Sequence, residues 1–309
     1  MSINEINEIN RLLKRNQIKT KKDYFKKFLF NLNETNANLL NYLLNQSQKQ
    51  KYLRYLKSEI INSKQFVTEY FFNAFPLRKA LFDKVVTLKN CEETTYDHNT
   101  ITGRLKVTAG TNYLVMKESD RKKLVHKDSN RNLYEIDFKS CEPNFYIKSQ
   151  NIKVKGNDIY EFLMEKFEIN IPRDKFKRGL LSLMYGANDK IISSISKIKI
   201  SKIKEIKKFL EIDNFKKKIE TEYEKNGYIY NFYKRPLLSN NNLVNHWIQS
   251  SSADFCCLSF NEYLNNNPEV ELHGVIHDAI IISTTEAVNE AYLKETISNI
   301  KIPITIKKL

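Results

Sequence analysis

Residues 270–284, "VELHGVIHDAIIIST", hold two apolar runs separated by only two residues, His277 and Asp278. A two-residue connection can join antiparallel strands but is far too short for a parallel crossover, so the segment must close as a hairpin. The predicted strands are 270–276 and 279–284, with an acid at the tip. A second stretch, "NLYEIDFKSCEPNFYIKSQ" from residue 132, repeats the pattern. Leu133, Tyr134, Ile136 and Phe138 read as strand, Asp137 ends it, and a helix-like run follows with Glu142 in it. Alone, either aspartate reads as a turn or cap residue. Placed on neighbouring strands of one sheet, about 4.8 Å apart, the two carboxylates could share cations. Two hard divalent ions about 3.5–4 Å apart can clamp the attacking and leaving oxygens of a phosphoryl transfer.

The rest of the chain gives an α+β order. Residues 1–94 carry helical periodicity in "INRLLKRN", "DYFKKFLFNL", "NANLLNYLLNQ" and "QKYLRYLKSEIINS". From about 95, "TITGRLKVTAGTNYLVM" changes to Thr, Val and Gly and predicts short strands and turns. Helices are expected over 157–168, from Pro172 to Gly186, as a Lys-rich run over about 189–225, and over 243–264. A last helix and a short strand close the chain. This is a helical unit, then a sheet-and-helix unit with a helical insertion.

Lys and Arg number 51 against 36 Asp and Glu, a net charge of +15 at pH 7. That surplus favours a polyanionic partner, nucleic acid being the commonest, although a Lys-, Asn- and Ile-rich codon bias leaves the same trace. The four cysteines show no C-x-x-C spacing and fit reduced thiols. The five histidines are scattered, and no His-rich metal site is expected. No apolar run reaches the length of a membrane span, and "MSINEINEINRLLKRN" lacks a signal-peptide core. The expected setting is intracellular, cytoplasmic or nucleoid-associated, with no membrane partner.

In "PRDKFKRGLLSLMYGAN", Arg173, Lys177, Leu181 and Tyr185 recur every fourth residue. Four helical steps turn 400°, so successive members drift only about 40° and share one stripe. The stripe offers two cations to a triphosphate, then an apolar platform, then a ring for a base. A solvated basic face is the plainer reading of such a run.

These residues carry a resemblance. Roughly over residues 95–309, the chain resembles the family A DNA polymerases, which include bacterial DNA polymerase I and several phage replicases. "DFKSCE" is similar to motif A, "RDKFKRGLLSLMYG" to motif B with its R-x3-K-x7-Y-G spacing, and "VIHDAII" to motif C. "TITGRL", "NDIY", "NGYIYNFYKRPL" and "NHWIQSSSADF" resemble weaker blocks in the family's order. The resemblance implies a right-hand fold: a palm with an antiparallel sheet (95–150 and 228–309), helical fingers (151–227) and a reduced helical thumb (1–94).

It also implies roles. Asp137 and Asp278, with the Phe138 backbone carbonyl, would hold two Mg²⁺ ions, for which Mn²⁺ could substitute. Lys177 would serve catalysis as proton donor to pyrophosphate. Arg173, Lys177, Leu181, Tyr185, Glu142 and Tyr160 would bind the deoxynucleoside triphosphate, with Glu142 as the gate against a ribose hydroxyl. Arg104, Arg235, Asn245, Gln249 and His277 would meet the primed DNA template. A helicase, primase or processivity factor would be a further partner, and the role stays open between phage, plasmid or organelle replication and repair. Residues 1–94 are too few for a thumb plus a proofreading exonuclease and hold no Asp-x-Glu nuclease motif, so no proofreading is expected.

The chain departs from the family at Ala279, where Glu is usual, at Leu181, at Ser182, and at Cys141 and Pro143 beside the gate. Two alternatives stay open: a single-subunit RNA polymerase or primase-like enzyme of the same architecture, and a catalytically weakened relic that only binds nucleic acid.

Overall fold

The computed structural model describes residues 78, 81–97, 100–156, 158–226, 228–233, 235–237, 239, 241–288 and 300–309. Nearly all of the expected N-terminal helical unit, and the last expected helix, lie outside the described residues.

The hairpin forms as its sequence requires. Strands β6 (Glu271–Ile276) and β7 (Ala279–Thr284) pair antiparallel with Ile276 opposite Ala279, so His277 and Asp278 alone make the turn. β3 (Asn132–Phe138) pairs antiparallel with β7 on one side and with β8 (Ile304–Lys308) on the other, giving the order β6-β7-β3-β8. Every residue of β7 is buried, as expected of "AIIIST", an unbroken apolar run followed by small hydroxyl residues, in an inner strand. β8 is an edge strand and ends in two exposed lysines, which discourage pairing with another chain. Two small antiparallel ribbons accompany this sheet: β1 (Thr95–Asp97) with β2 (Lys106–Ala109), and β4 (Ile229–Tyr230) with β5 (Pro236–Leu237).

One face of the sheet belongs to the long helix α8 (Leu243–Asn266). The Phe138 ring lies 5.0 Å from that of Phe255 and 5.2 Å from that of Phe260. Ile136, Phe138, Ile280 and Ile282 join them in the main core, each such side chain contributing about 1.5–3 kcal/mol by leaving water. Alternation turns Leu133, Glu135 and Asp137 to the other face, where Leu133 and Ile281 meet Leu88 and Tyr113 in a smaller cluster. The carboxylate of Asp137 therefore sits on the sheet face that α8 does not cover.

Helices α1 (Glu118–Arg121) and α2 (Cys141–Ser149) flank β3 in sequence. Between β3 and α2 the chain reverses through Lys139 and a left-handed Ser140 (φ +48°), which places Glu142 in the first turn of α2. The insertion holds α3 (Ile159–Lys166), α4 (Arg173–Met184), α5 (Asp189–Ser196), α6 (Ile200–Phe209) and α7 (Ile212–Asn226). The Lys-rich run read from sequence as continuous helix is thus three helices. Left-handed residues break it, Lys197 at φ +66° and Glu211 at φ +52°, neither of which is the glycine that would have marked a stop. Gly179 lets α4 close on α5: a Cβ there would stand 2.5 Å from Ser196 Cβ. α7 meets α8 through Phe215 and Trp247, ring centroids 4.9 Å apart. No helix among the described residues is long and apolar enough to cross a membrane.

Candidate active site

Asp137 and Asp278, 141 positions apart in sequence, meet at one end of the sheet. Asp137 pairs with Ala279, and the Phe138 amide donates to the Asp278 carbonyl oxygen at 3.0 Å. The turn that delivers Asp278 is tight enough to hold His277 at φ +47°, a region that non-glycine residues enter rarely. Burial raises the Asp137 pKa to about 7, helped by the charges of Asp278 and Glu135 and opposed by Lys307 and Lys177. Burial also raises Asp278, against its own backbone amide, Arg104 and Lys177. Two half-buried carboxylates therefore share one end of the sheet, each pushed by burial toward its protonated form. A pair of hard oxygen donors with unmet negative charge fits a divalent cation such as Mg²⁺.

The four-residue stripe lies on the open side of α4. Phe176, Leu180, Leu183 and Met184 are buried on the opposite side, Arg173 and Lys177 are exposed, and Leu181 and Tyr185 are half-buried. Lys177 has no ion-pair partner among the described residues, and its charge reaches both aspartates. Arg173 is engaged: it pairs with Asp158, the N-cap of α3, and its guanidinium lies 4.9 Å over the Tyr160 ring. Tyr160, expected beside a triphosphate, is only 1% exposed, and its ring serves as a floor for Arg173.

Glu142 connects the stripe to the aspartates. The Tyr185 hydroxyl donates to Glu142 Oε2, and Arg104 Nη1 lies 3.5 Å from Oε1. Burial holds the Glu142 pKa up in spite of Arg104, and the Asp278 charge adds to the rise. Arg104, Glu142, Gln249, His277 and Asp278 line one cavity. His277 is neutral at physiological pH, its pKa lowered to about 4 by burial and by Arg104, and its Nδ1 is buried with no hydrogen-bond partner among the described residues. Asn245, one turn before Gln249 on α8, has a buried Oδ1 in the same condition. Buried polar atoms without partners are uncommon and call for an explanation, which a bound ligand or an ordered water can supply.

Arg235 requires a correction. Expected to touch nucleic acid, it is buried instead, with Nε 2.8 Å from Asp254 Oδ2 and Nη2 donating to the Thr102 carbonyl at 2.9 Å. Buried Arg78 balances the other side of the same carboxylate at 2.5 Å and donates from Nε to the Gly103 carbonyl at 2.9 Å. The two arginines thus fasten residues 102–103, and so aim the neighbouring Arg104 at the cavity. The sequence shows a basic turn but not the aspartate that buries it. Asp158, Arg78 and Asp254 are likewise site-supporting residues that spacing alone did not reveal.

No protein-family model matches the chain, and no curated protein matches it. Among solved structures it is similar to the POL domain of Pol1 from M. smegmatis in complex with DNA primer-template and dNTP. The TM-score is 0.55 at 13% identity, covering 98% of this chain and 66% of that one. The fold is therefore similar to that of a polymerase domain. The chain spans 66% of the length of that neighbour.

Proposed function

We propose that the chain is a template-directed DNA polymerase of the family A type, extending a primer with deoxynucleoside triphosphates. The observation that carries this reading is the adjacency of Asp137 and Asp278 beside a helix whose open face presents Arg173, Lys177, Leu181 and Tyr185. In this reading the sheet with α2 and α8 is the palm, α3 to α7 are the fingers, and residues 1–94 supply the thumb.

Asp137 and Asp278, with the Phe138 carbonyl, would hold two Mg²⁺ ions, which when bound supply Lewis-acid activation of the primer hydroxyl and neutralise phosphate charge. The chain's own groups do the remainder. Lys177 is free to neutralise the β- and γ-phosphates and to give a proton to the departing pyrophosphate. Arg173 adds a second cation on exchanging Asp158 for phosphate. Glu142, held by Tyr185 and Arg104, would be the group against which a ribose 2′-hydroxyl collides and leaves polar groups unpaired. That anchoring favours deoxynucleotides over the RNA-polymerase reading. Arg104, Asn245, Gln249 and His277 offer hydrogen bonds to primer and template.

Extension of a primed DNA template with each nucleotide type, with and without Mg²⁺, tests the proposal. Mg²⁺-dependent, template-matched incorporation of deoxynucleotides is expected; no incorporation, or equal use of ribonucleotides, would contradict it.

A further inference from the structure

At the far end of the same hairpin the structure gathers three metal-binding side chains that sequence spacing concealed. His126, from the loop before β3, reaches Glu271 at the start of β6, with Nε2 2.9 Å from Oε2. His273 Nε2 lies 4.0 Å from that same oxygen, and all three ligand atoms fall within 4.8 Å of one another. A tetrahedral ion with bonds of about 2.0–2.1 Å needs ligand atoms about 3.3 Å apart, a value these separations bracket.

Local structure presents these atoms deliberately. The register of β6 against β7 shifts between Leu272 and Gly274, so His273 is the extra residue of a bulge, a device that re-aims a side chain. Its Nδ1 is 2.7 Å from the Val86 carbonyl, which can only accept. The ring proton is therefore on Nδ1, which leaves Nε2 its lone pair, as in imidazoles that bind metals. The Ser283 hydroxyl lies 2.8 Å from His273 Nε2 and 3.5 Å from Glu271 Oε2, and has one proton for both acceptors. His126 Nδ1 sits 3.1 Å from the Asp128 carbonyl and 2.9 Å from the Asp128 amide, so either tautomer is supported, including the one that frees Nε2 for a metal. Arg131 opposes a cation, its Nε being 3.6 Å from Glu271 Oε2, but it is also tied to Ser283 and to the Glu269 carbonyl.

We propose that His126, Glu271 and His273 bind one transition-metal ion of the zinc type, at a site separate from the Asp137–Asp278 pair. Five residue steps along the hairpin, roughly 16 Å if extended, separate His273 from Asp278. Two imidazoles and one carboxylate favour zinc or cobalt over magnesium, and the fourth position is left to water. The ion clips three segments together: the 122–131 loop, the hairpin, and residues 85–86, which already bond Leu272 through the Val86 amide at 2.7 Å. The proposal is independent of the polymerase reading.

The test is Co²⁺ titration of the tag-free full chain in saturating Mg²⁺, read by visible absorption, with Zn²⁺-dependent thermal melting alongside. The expected result is one Co²⁺ per chain with visible ligand-field bands, displaced by Zn²⁺. Affinity should fall at least ten-fold in His126→Ala and Glu271→Gln, both checked for fold by circular dichroism, and Zn²⁺ should raise the melting temperature of the unaltered chain. No visible band, uptake indifferent to both substitutions, or uptake lost instead in Asp278→Asn would overturn the site.

Discussion

The Phe138 amide and the Asp278 carbonyl share a hydrogen bond of 3.0 Å, and that bond fixes the two acidic chain segments side by side. Because it runs through backbone atoms, the Asp137 and Asp278 side chains can be altered without undoing the pairing that positions them.

The first consequence concerns pH. Asp137 carries its proton up to about pH 7 in the folded chain, whereas an unfolded aspartate releases it near 3.8. Between those values the folded state binds more protons, so stability contributed by this site is full below about pH 4 and declines as pH rises through 7. Asp137→Asn removes that decline. In Mg²⁺-free buffer the variant should be more stable than the parent at pH 8 by on the order of 1–2 kcal/mol, after solvent screening is allowed for, and similar to it at pH 4. Denaturant titrations at the two pH values check this, and saturating Mg²⁺ should reverse the order at pH 8.

Glu142 and Tyr185 form a second coupled pair. Glu142→Ala should raise ribonucleotide use relative to deoxynucleotide use by about 10–100-fold in kcat/KM, corresponding to about 1–3 kcal/mol of lost discrimination. Tyr185→Phe keeps the ring and removes the donor, and should give a smaller change in the same direction. Single-nucleotide kinetics with both sugar types measure it; an unchanged ratio in Glu142→Ala removes the gate assignment.

Arg104 and Arg235 should behave oppositely although both were read as DNA contacts. Arg235→Ala leaves Asp254 buried with half its counter-charge, a loss of about 3–5 kcal/mol that should appear in thermal melting. Arg104→Ala should melt within a few degrees of the parent but bind primed template several-fold more weakly. Reversed outcomes would show that the buried cluster is not what holds this loop.

In the proposed reading Asp158, which pairs with Arg173, would compete with phosphate for it. Asp158→Asn keeps a good N-cap for α3 while removing the negative charge that holds Arg173. The KM for a triphosphate should fall two- to five-fold with kcat within about two-fold. A raised KM would mean that Asp158 presents Arg173 to the nucleotide instead of withholding it.

What the sequence disclosed depended on how local the signal was. The hairpin tip, the strand bearing Asp137 and the stripe on α4 were legible because a two-residue turn, an apolar strand and a four-residue repeat each constrain geometry over a few residues. The closeness of Asp137 to Asp278 followed once both strands were placed in one sheet. Arg235 was misread because its partner Asp254 lies on the hidden side of a helix, and a basic turn looks the same whether or not it is buried. The breaks at Lys197 and Glu211 escaped notice because neither residue type announces a left-handed backbone. His126, Glu271 and His273 were invisible as a group: a strand bulge brings two of them into line, and a distant loop delivers the third.

The most direct measurement is single-turnover extension of a primed DNA template by one matched deoxynucleotide, in Mg²⁺, with the parent chain and with Asp278→Asn. The expected outcome is rapid extension by the parent, a loss of at least a thousand-fold in the variant, and primer–template affinity within a few-fold of the parent. Extension by Asp278→Asn at a rate near the parent's would contradict the paired-carboxylate centre.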